Sequence, residues 1–502
     1  MSLTPASIPS GPHAERHQPI FAPLNFRNLT VPNRLFRSSI SGRIDYYNGA
    51  GSPARVAFEE KFARGGVGAI ISSHVPIRVD SRVLPNYAMI DCDERIPFWH
   101  TVGEHVHRHG SKFILQLSMS GRQQDIGGIE NHPRRTPPGV TEKRDGFHGL
   151  PSRAMSEAEI AQAVKDFGKA AWRAKEAGLD GVELHSSNGY LFTQFISSAI
   201  NDRQDRYGGD IEKRATFLRE VIQSIREQVG NDFFLGAKVS LREADNAIYP
   251  WPLYLFKSEG NTLEESIAGA RAALLDGPAD AQGKPRWRGV DALHVSVGST
   301  FPHPLNPAGP FPVEMGWRTY QSVIASSDPQ SWISKSFLNY LLMRYNFLRW
   351  IFRFAWQRTQ KEFLDRRGRA IPGKVEGLNV PLAARLAADL KNDPLRVPII
   401  VTGGFQTGEG ILKALAAGCD AVSIARPLLA NPNLPQWLAA GHNCAPRPCS
   451  YCNQCLLNVL ENPLGCYDLD RYDGDYDQML ANIMDIFPAK VTSGSSPDPW
   501  LP

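Results

Sequence analysis

The sequence predicts a (β/α)8 TIM barrel with a long insertion after the sixth strand and a cysteine-rich C-terminal extension. Two observations carry this. Short apolar runs of strand character alternate with amphipathic helical patterns along most of the 502 residues, as in parallel strands joined by helical crossovers. Polar or small residues also recur at the C-terminal ends of those runs, where such a barrel does its chemistry.

In chain order, residues 1–19 are rich in Pro, Ser and His and read as a disordered leader without a cleavable signal. Residues 20–440 hold the barrel. Its candidate strands are Arg34 to Ile40, Gly68 to Ser73, Phe113 to Ser118, Asp180 to Leu184, Phe233 to Ser240, Val290 to Val297, Val397 to Gly403 and Asp420 to Ala425. Helical patterns lie between them at Pro53 to Arg64, Pro97 to His109, Ser156 to Ala177, Asp210 to Val229, Thr262 to Leu275, Pro381 to Lys391 and Thr407 to Ala417. Ser156 with Glu159 forms a capping box, and Gly178 suits the end of that helix. A Pro/Gly/Arg-rich loop, 119–155, follows strand three, and the insertion covers about 298–380. Residues 441–502 form the cysteine-rich extension.

Composition narrows the function classes. The chain is 42% hydrophobic and 21% charged with a net charge of +4, an ordinary globular balance. Lys and Arg are spread along it, which argues against nucleic-acid binding. Four of the seven cysteines fall within 449–466, a clustering that points to a metal or cluster in a reducing, cytoplasmic setting rather than to disulfides.

The most informative stretch is Asp180 to Tyr190. His185, Asn188 and Tyr190 crowd onto the C-terminal end of the fourth strand. An imidazole and a carboxamide are donors able to grip a carbonyl oxygen, and a phenol beside them can deliver a proton. A lone histidine there is more often a structural hydrogen-bonder; three such groups within six residues favour a site. Around the same mouth stand Ser41, Gln116, Lys238, Gly403, Gly404, Ala425 and Arg426. Singly, these read as an interior amide, a buried ion pair or a helix-end cation. Jointly, the Gly-Gly pair and Arg426 resemble the barrel phosphate site of the last two loops. Gln116 and Lys238, nearer the centre, would aim donors at an electron-rich ring. The implied ligand is a phosphorylated, planar, redox-active cofactor.

These residues carry a family resemblance. Phe21-Ala-Pro-Leu24, Asn33-Arg34-Leu35, Gln116-Leu117, Gly121-Arg122, His185-Ser-Ser-Asn188-Gly-Tyr190, Asn201 to Gly209 and Glu212-Lys-Arg214 resemble the old yellow enzymes, flavin-dependent ene-reductases. The resemblance implies non-covalent FMN, NADH or NADPH as reductant, and a small-molecule substrate with an activated C=C bond. By motif, Gln116 would meet the flavin's pyrimidine edge, and Lys238, where the family usually has Arg, would sit near N1 and the C2 carbonyl. Ser41, in place of Thr or Cys, would approach the C4 carbonyl. Gly403, Gly404, Ala425 and Arg426 would hold the phosphate. His185 and Asn188 would bind the substrate oxygen, and Tyr190 would protonate the α-carbon. Two departures touch the pocket's shape: Ser118-Met119 replaces an aromatic-His pair, and His74 stands where a small residue is common.

Cys449, Cys452, Cys455 and Cys466 have the form C-x2-C-x2-C-x10-C. The spacing suits a [4Fe-4S] cluster or tetrahedral Zn, with free thiols as the remaining reading. Cys452-Asn-Gln-Cys455-Leu resembles the cluster segment of the 2,4-dienoyl-CoA reductase and trimethylamine dehydrogenase branch. An iron–sulfur-linked dehydrogenase, demethylase or dienoyl reductase with an external electron partner is therefore the alternative reading.

Between Asp328 and Glu362 no acidic residue occurs, while Lys335, Arg344, Arg349, Arg353 and Arg358 punctuate an aromatic run. Leu338, Leu341, Leu342, Tyr345, Leu348, Ile351, Phe352 and Ala355 keep helical spacing. Residues 331–358 thus read as a helix packed on the barrel or on a second subunit of a homo-oligomer, or as a peripheral contact with the inner membrane surface.

Overall fold

The computed structural model describes residues 8–40, 42–83, 86–124, 136–143, 152–243, 260–298, 307–312, 341, 344–458 and 462–487. Ser41, most of the insertion and much of the 119–155 loop lie outside the described residues. Eight parallel strands close into a barrel in chain order. They are β1 (Leu35–Arg37), β2 (Ala69–Pro76), β3 (Lys112–Ser118), β4 (Gly181–Ser186), β5 (Phe234–Ser240), β6 (Ala292–Ser296), β7 (Ile399–Thr402) and β8 (Ala421–Ile424). Each expected strand is present, though β2 and β4 run further toward their C-terminal ends than the apolar runs suggest. In β4 the continuation through His185 and Ser186 is explained by pairing with Lys238 and Val239 of β5.

Side-chain caps mark the starts of several helices between strands. Ser52 caps α1 (Pro53–Arg64), accepting from the Arg55 N–H, and Pro53 supplies a pre-set first turn. The helix α2 (Ile96–His107) buries Phe98, Trp99, Val102 and Val106. Ser156 and Glu159 cap each other reciprocally at the start of α3 (Glu157–Glu176). That helix buries Ile160, Ala163, Phe167, Ala170, Ala171 and Ala174, a stripe at helical period. It packs on α4 (Thr216–Val229), whose Phe217, Leu218, Val221, Ile222 and Ile225 are buried in the same core. Gly168 permits this close approach, since a Cβ there would lie 2.4 Å from Ser224 Oγ. The ring is completed by α5 (Leu263–Ala272), α6 (Val380–Asp389) and α7 (Gly408–Ala416).

A short antiparallel hairpin, Leu24–Asn25 with Thr30–Val31, precedes β1. Its Leu24, Phe26, Leu29 and Val31 form a buried cluster with inward residues of the strands, including Phe36, Ile71, Ile114 and Phe234. It plugs the end of the barrel away from the candidate site. The leader also differs from expectation: residues 9–17 are pinned rather than disordered. The Gly11 N–H donates to Ala440 O at 2.6 Å, Pro9 O lies 2.8 Å from His442 Nε2, and buried His17 lies 2.8 Å from Leu438 O through Nδ1. Backbone carbonyls of Leu438 and Ala440 and the His442 side chain supply those partners, which composition alone does not reveal.

Behind β1 lies a fully buried charge network. Arg55 of α1 donates to Asp45 through Nη2 at 2.8 Å and to Glu59 through Nη1 at 3.3 Å, and Arg37 of β1 pairs with the other oxygen of Glu59. All four side chains are inaccessible to solvent.

Candidate active site

Alternation along each strand decides which side chains enter the barrel. On β4, Val182 and Leu184 join the outer core, while Glu183 and His185 turn inward. The proof is a contact across the interior. Glu183 Oε2 lies 2.8 Å from Nδ1 of His294 on β6, with β5 between the two strands. His294 Nε2 is in turn 2.6 Å from Thr402 Oγ1 on β7. The other oxygen of Glu183 accepts from Gln116 Nε2 at 2.7 Å. Lys238, in register with both His185 and His294, donates to Ser39 Oγ at 3.2 Å.

This interior holds defined charges. Burial pushes the Glu183 carboxyl up, but His294, Lys238 and Gln116 outweigh it and leave it below the ordinary carboxylate range. Burial pushes His294 down, against the pull of Glu183. The consistent state is an ionised Glu183 accepting from a neutral His294. Burial also lowers Lys238, opposed by Glu183. Gln116 therefore has its amide nitrogen committed to Glu183, while its buried Oε1 has no hydrogen-bond partner among the described residues. An acceptor so placed asks for an N–H from a ligand.

Above this layer the expected trio converges. His185 is buried, and burial first, then Lys238, His74 and His294, hold its pKa well below the usual value. It is a neutral imidazole at physiological pH. Ser187 Oγ lies 3.3 Å from His185 Nδ1 and donates to Asn188 Oδ1 at 2.5 Å, so one hydroxyl orients both groups. Asn188 adopts a left-handed backbone (φ 64°), a conformation Asn tolerates, followed by Gly189 at φ 84°. This turn brings the Tyr190 ring back over the strand end, 4.6 Å from the His185 ring. Tyr190 directly precedes a short helix, Leu191–Ile196.

His74 belongs to the cluster. Its ring lies 4.9 Å from that of Tyr190 and 5.9 Å from Tyr87, in edge contacts. Burial lowers its pKa from 6.5 to about 4, although Ser81 O opposes the shift. The unfolded chain therefore takes up a proton before the folded one as pH falls, and stability is lost between pH 6.5 and 4. The group accounts for about 3 kcal/mol across that window. Urea unfolding of His74→Asn at several pH values should show a correspondingly flatter acid limb; an unchanged limb would reject this origin.

At the other side of the mouth, Gly403 and Gly404 follow β7. Gly404 sits at φ 69°, and its carbonyl accepts from the Tyr451 hydroxyl. Ala425 precedes the helix Arg426–Ala430. The Arg426 guanidinium donates to Ala308 O at 2.8 Å and to Asn453 Oδ1, and it lies 5.1 Å over the Tyr451 ring. Arg426 is thus shared between the expected phosphate loops and the cysteine segment. Arg426, Cys449, Cys452, Cys455 and Cys466 line one small cavity with Arg471. Arg471 donates to Cys466 Sγ at 3.1 Å and the Tyr451 N–H to Cys449 Sγ at 3.4 Å. Tyr451 and Asn453, alternating with the cysteines, are left-handed at φ 57° and 62°, which folds the loop back on its sulfurs. Burial pushes the Cys449 thiol up to about 12 and Cys455 well above its usual value, the latter helped by its neighbouring cysteines. Uncompensated thiolates are unfavourable here; a bound cation reverses that. Among the described residues, no three His, Cys, Asp or Glu side chains already converge in metal-ligand geometry.

The site residues thus fall into two groups. His185, Asn188 and Tyr190 are brought together over Gln116 and Lys238. Of Gly403, Gly404, Ala425 and Arg426, Gly404 is bonded to the cysteine segment through Tyr451 and Arg426 lines the cavity with the four cysteines. Sequence reasoning missed Glu183, Ser187, His294 and Thr402. Glu183 and His294 did leave a signal, as polar residues inside otherwise apolar strands.

Comparison with known proteins places these features. The NADH:flavin oxidoreductase / NADH oxidase family profile matches residues 19–247, and the FMN-dependent dehydrogenase profile matches 369–434, which includes both glycines and Arg426. An NADH oxidase of Thermoanaerobacter brockii is 33% identical over 306 residues, 60% of this chain and 42% of that one. The NADH-dependent flavin oxidoreductase iliE of Hypocrea jecorina is 28% identical over 455 residues, covering 86% of this chain and 90% of the other. Against the bacterial relatives matched first, the chain spans only 32% to 53% of their length. The fold is shared with a 2-naphthoyl-CoA reductase structure, at TM-score 0.63 and 20% identity over 92% of this chain and 58% of that one.

Proposed function

The chain belongs to the NADH:flavin oxidoreductase / NADH oxidase family through residues 19–247, and from that premise we propose that it is an FMN-dependent oxidoreductase. In this reading it uses NAD(P)H to reduce an activated C=C bond of an α,β-unsaturated carbonyl or related compound. FMN, when bound, supplies hydride acceptance from the nicotinamide and hydride donation to carbon. The residues present fit it. Gln116 offers an unpartnered buried acceptor to a ring N–H, and Lys238 offers a cation beside it. Gly403, Gly404, Ala425 and Arg426 would take the phosphate, with Gly404 allowing close backbone approach.

The observation that carries the reading is the convergence of His185, Asn188 and Tyr190 at one strand end. The Asn188 carboxamide, with a neutral imidazole whose one N–H would turn from Ser187 to the ligand, would hold the substrate oxygen and stabilise the negative charge that grows on it. The Tyr190 phenol would deliver a proton to the α-carbon. The edge contact of His74 keeps that phenol from swinging away.

Cys449, Cys452, Cys455 and Cys466 are assigned to a [4Fe-4S] cluster in preference to Zn. The shared cavity and the two donors onto sulfur support this, since N–H···S bonds are a usual part of cluster environments.

One anaerobic experiment tests both assignments. The purified protein should show flavin absorbance that NAD(P)H bleaches and an enone restores. Beneath it should lie a broad shoulder matched by iron and acid-labile sulfide. Protein that never acquires flavin sinks the first assignment; zinc without sulfide sinks the second.

A further inference from the structure

We propose that the helix Asn346–Thr359 docks on an anionic lipid surface. The helix is tied to the protein along one side. Trp356 is buried, its indole N–H donates to Gly309 O at 3.1 Å, and its ring lies 5.0 Å from that of Phe311. Gln360, which follows the helix, is also buried and accepts from the Gly309 N–H at 3.2 Å.

The opposite side is apolar. Phe347, Trp350, Ile351 and Phe354 recur at i, i+3, i+4 and i+7 and so share one stripe, turned away from Trp356. They are 74%, 65%, 41% and 57% exposed. Single exposed apolar side chains are ordinary, but a contiguous stripe with three aromatics marks an interaction surface.

Charge selects the occupant. Arg344, Arg353 and Arg358 are exposed around this stripe, and the sequence has no Asp or Glu from 329 to 361. A second copy of the same helix would set arginines against arginines. An anionic bilayer pairs with them while its interface accepts the Phe and Trp rings. Among the described residues no helix is long and apolar enough to cross a membrane, so this one would lie in the plane of the surface. Its anchor, Gly309, directly follows Ala308, which receives Arg426 from the end of β8. The lipid-facing stripe therefore belongs to the mouth end of the barrel, where an apolar substrate would enter. The proposal stands whether or not flavin binds.

The test is co-sedimentation of the full chain with vesicles of phosphatidylcholine alone and of phosphatidylcholine mixed with phosphatidylglycerol, at low and high salt. Partitioning should favour the mixed vesicles and weaken with salt. Phe347→Ser with Trp350→Ser should reduce it at least ~10-fold. A separate surface variant, Arg353→Gln with Arg358→Gln, should reduce it about 25-fold. Circular dichroism of each variant checks folding. Equal partitioning of wild type and both variants, or equal binding to the two vesicle types, overturns the proposal. So does a wild-type dimer in light scattering that the aromatic variant dissociates while vesicles capture neither protein.

Discussion

Replacing Tyr190 with phenylalanine is expected to slow reoxidation of the reduced protein by an enone about 10²–10⁴-fold. Reduction by NAD(P)H should stay within a small factor of wild type. The substitution removes one hydroxyl and keeps the ring that packs 4.6 Å from His185 and 4.9 Å from His74. The ring contacts are therefore kept, and a loss confined to the enone half-reaction reports on proton delivery. Hydride entry from nicotinamide needs no proton from this phenol, so the two half-reactions separate in stopped-flow traces. Equal slowing of both would show that Tyr190 shapes the pocket and does not serve as the acid. His185→Ala behaves differently under the same scheme: it removes a donor to the bound oxygen and should weaken phenol-type ligands and substrate together.

The largest stability effect is expected at Glu59. Its carboxylate pairs with Arg37 and with Arg55 where no water reaches any of the side chains. Burial, followed by the nearby Arg55 charge, already lowers the pKa of Arg37. Glu59→Gln would leave two guanidiniums facing each other with Asp45 alone, among the described residues, paired to one of them. Breaking such a buried pair costs about 3–5 kcal/mol. The measurement is the urea midpoint of wild type, Glu59→Gln and the double variant Glu59→Gln/Arg37→Gln, which should recover part of the loss. A midpoint unchanged in the single variant would mean that solvent or a relaxed side chain neutralises the site. The network also reaches the chemistry: Arg37 ends β1, and two residues on, Ser39 receives Lys238. A weakened β1 end should therefore loosen that contact as well.

The barrel was legible because each of its units carries local signals. Ser52 before Pro53, and Ser156 paired with Glu159, fix helix starts within a residue. Apolar runs mark the eight barrel strands. The trio at β4 was legible because its members are close in sequence. What escaped was set by distance or brevity. Glu183 and His294 are 111 positions apart, and no periodicity says that two polar side chains meet across a barrel. The plugging hairpin has two-residue strands, too short for any alternation to register. Residues 9–17 have the composition of a free tail, yet backbone near Gly441 holds them. Arg426 was expected at the phosphate, but its further grip on Asn453 depends on how the C-terminal segment folds back.

That fold-back has a thermodynamic meaning. Tyr451 and Asn453 hold Gly404 and Arg426 from within the cysteine loop, so whatever orders one loop stiffens the other. If the four cysteines hold a cluster and the neighbouring loops a phosphate, as proposed, the two occupancies would share a single coupling free energy, felt equally from either direction. On the proposed assignments, preparations that lose iron should also lose flavin, and rebuilding the cluster should tighten the hold on it.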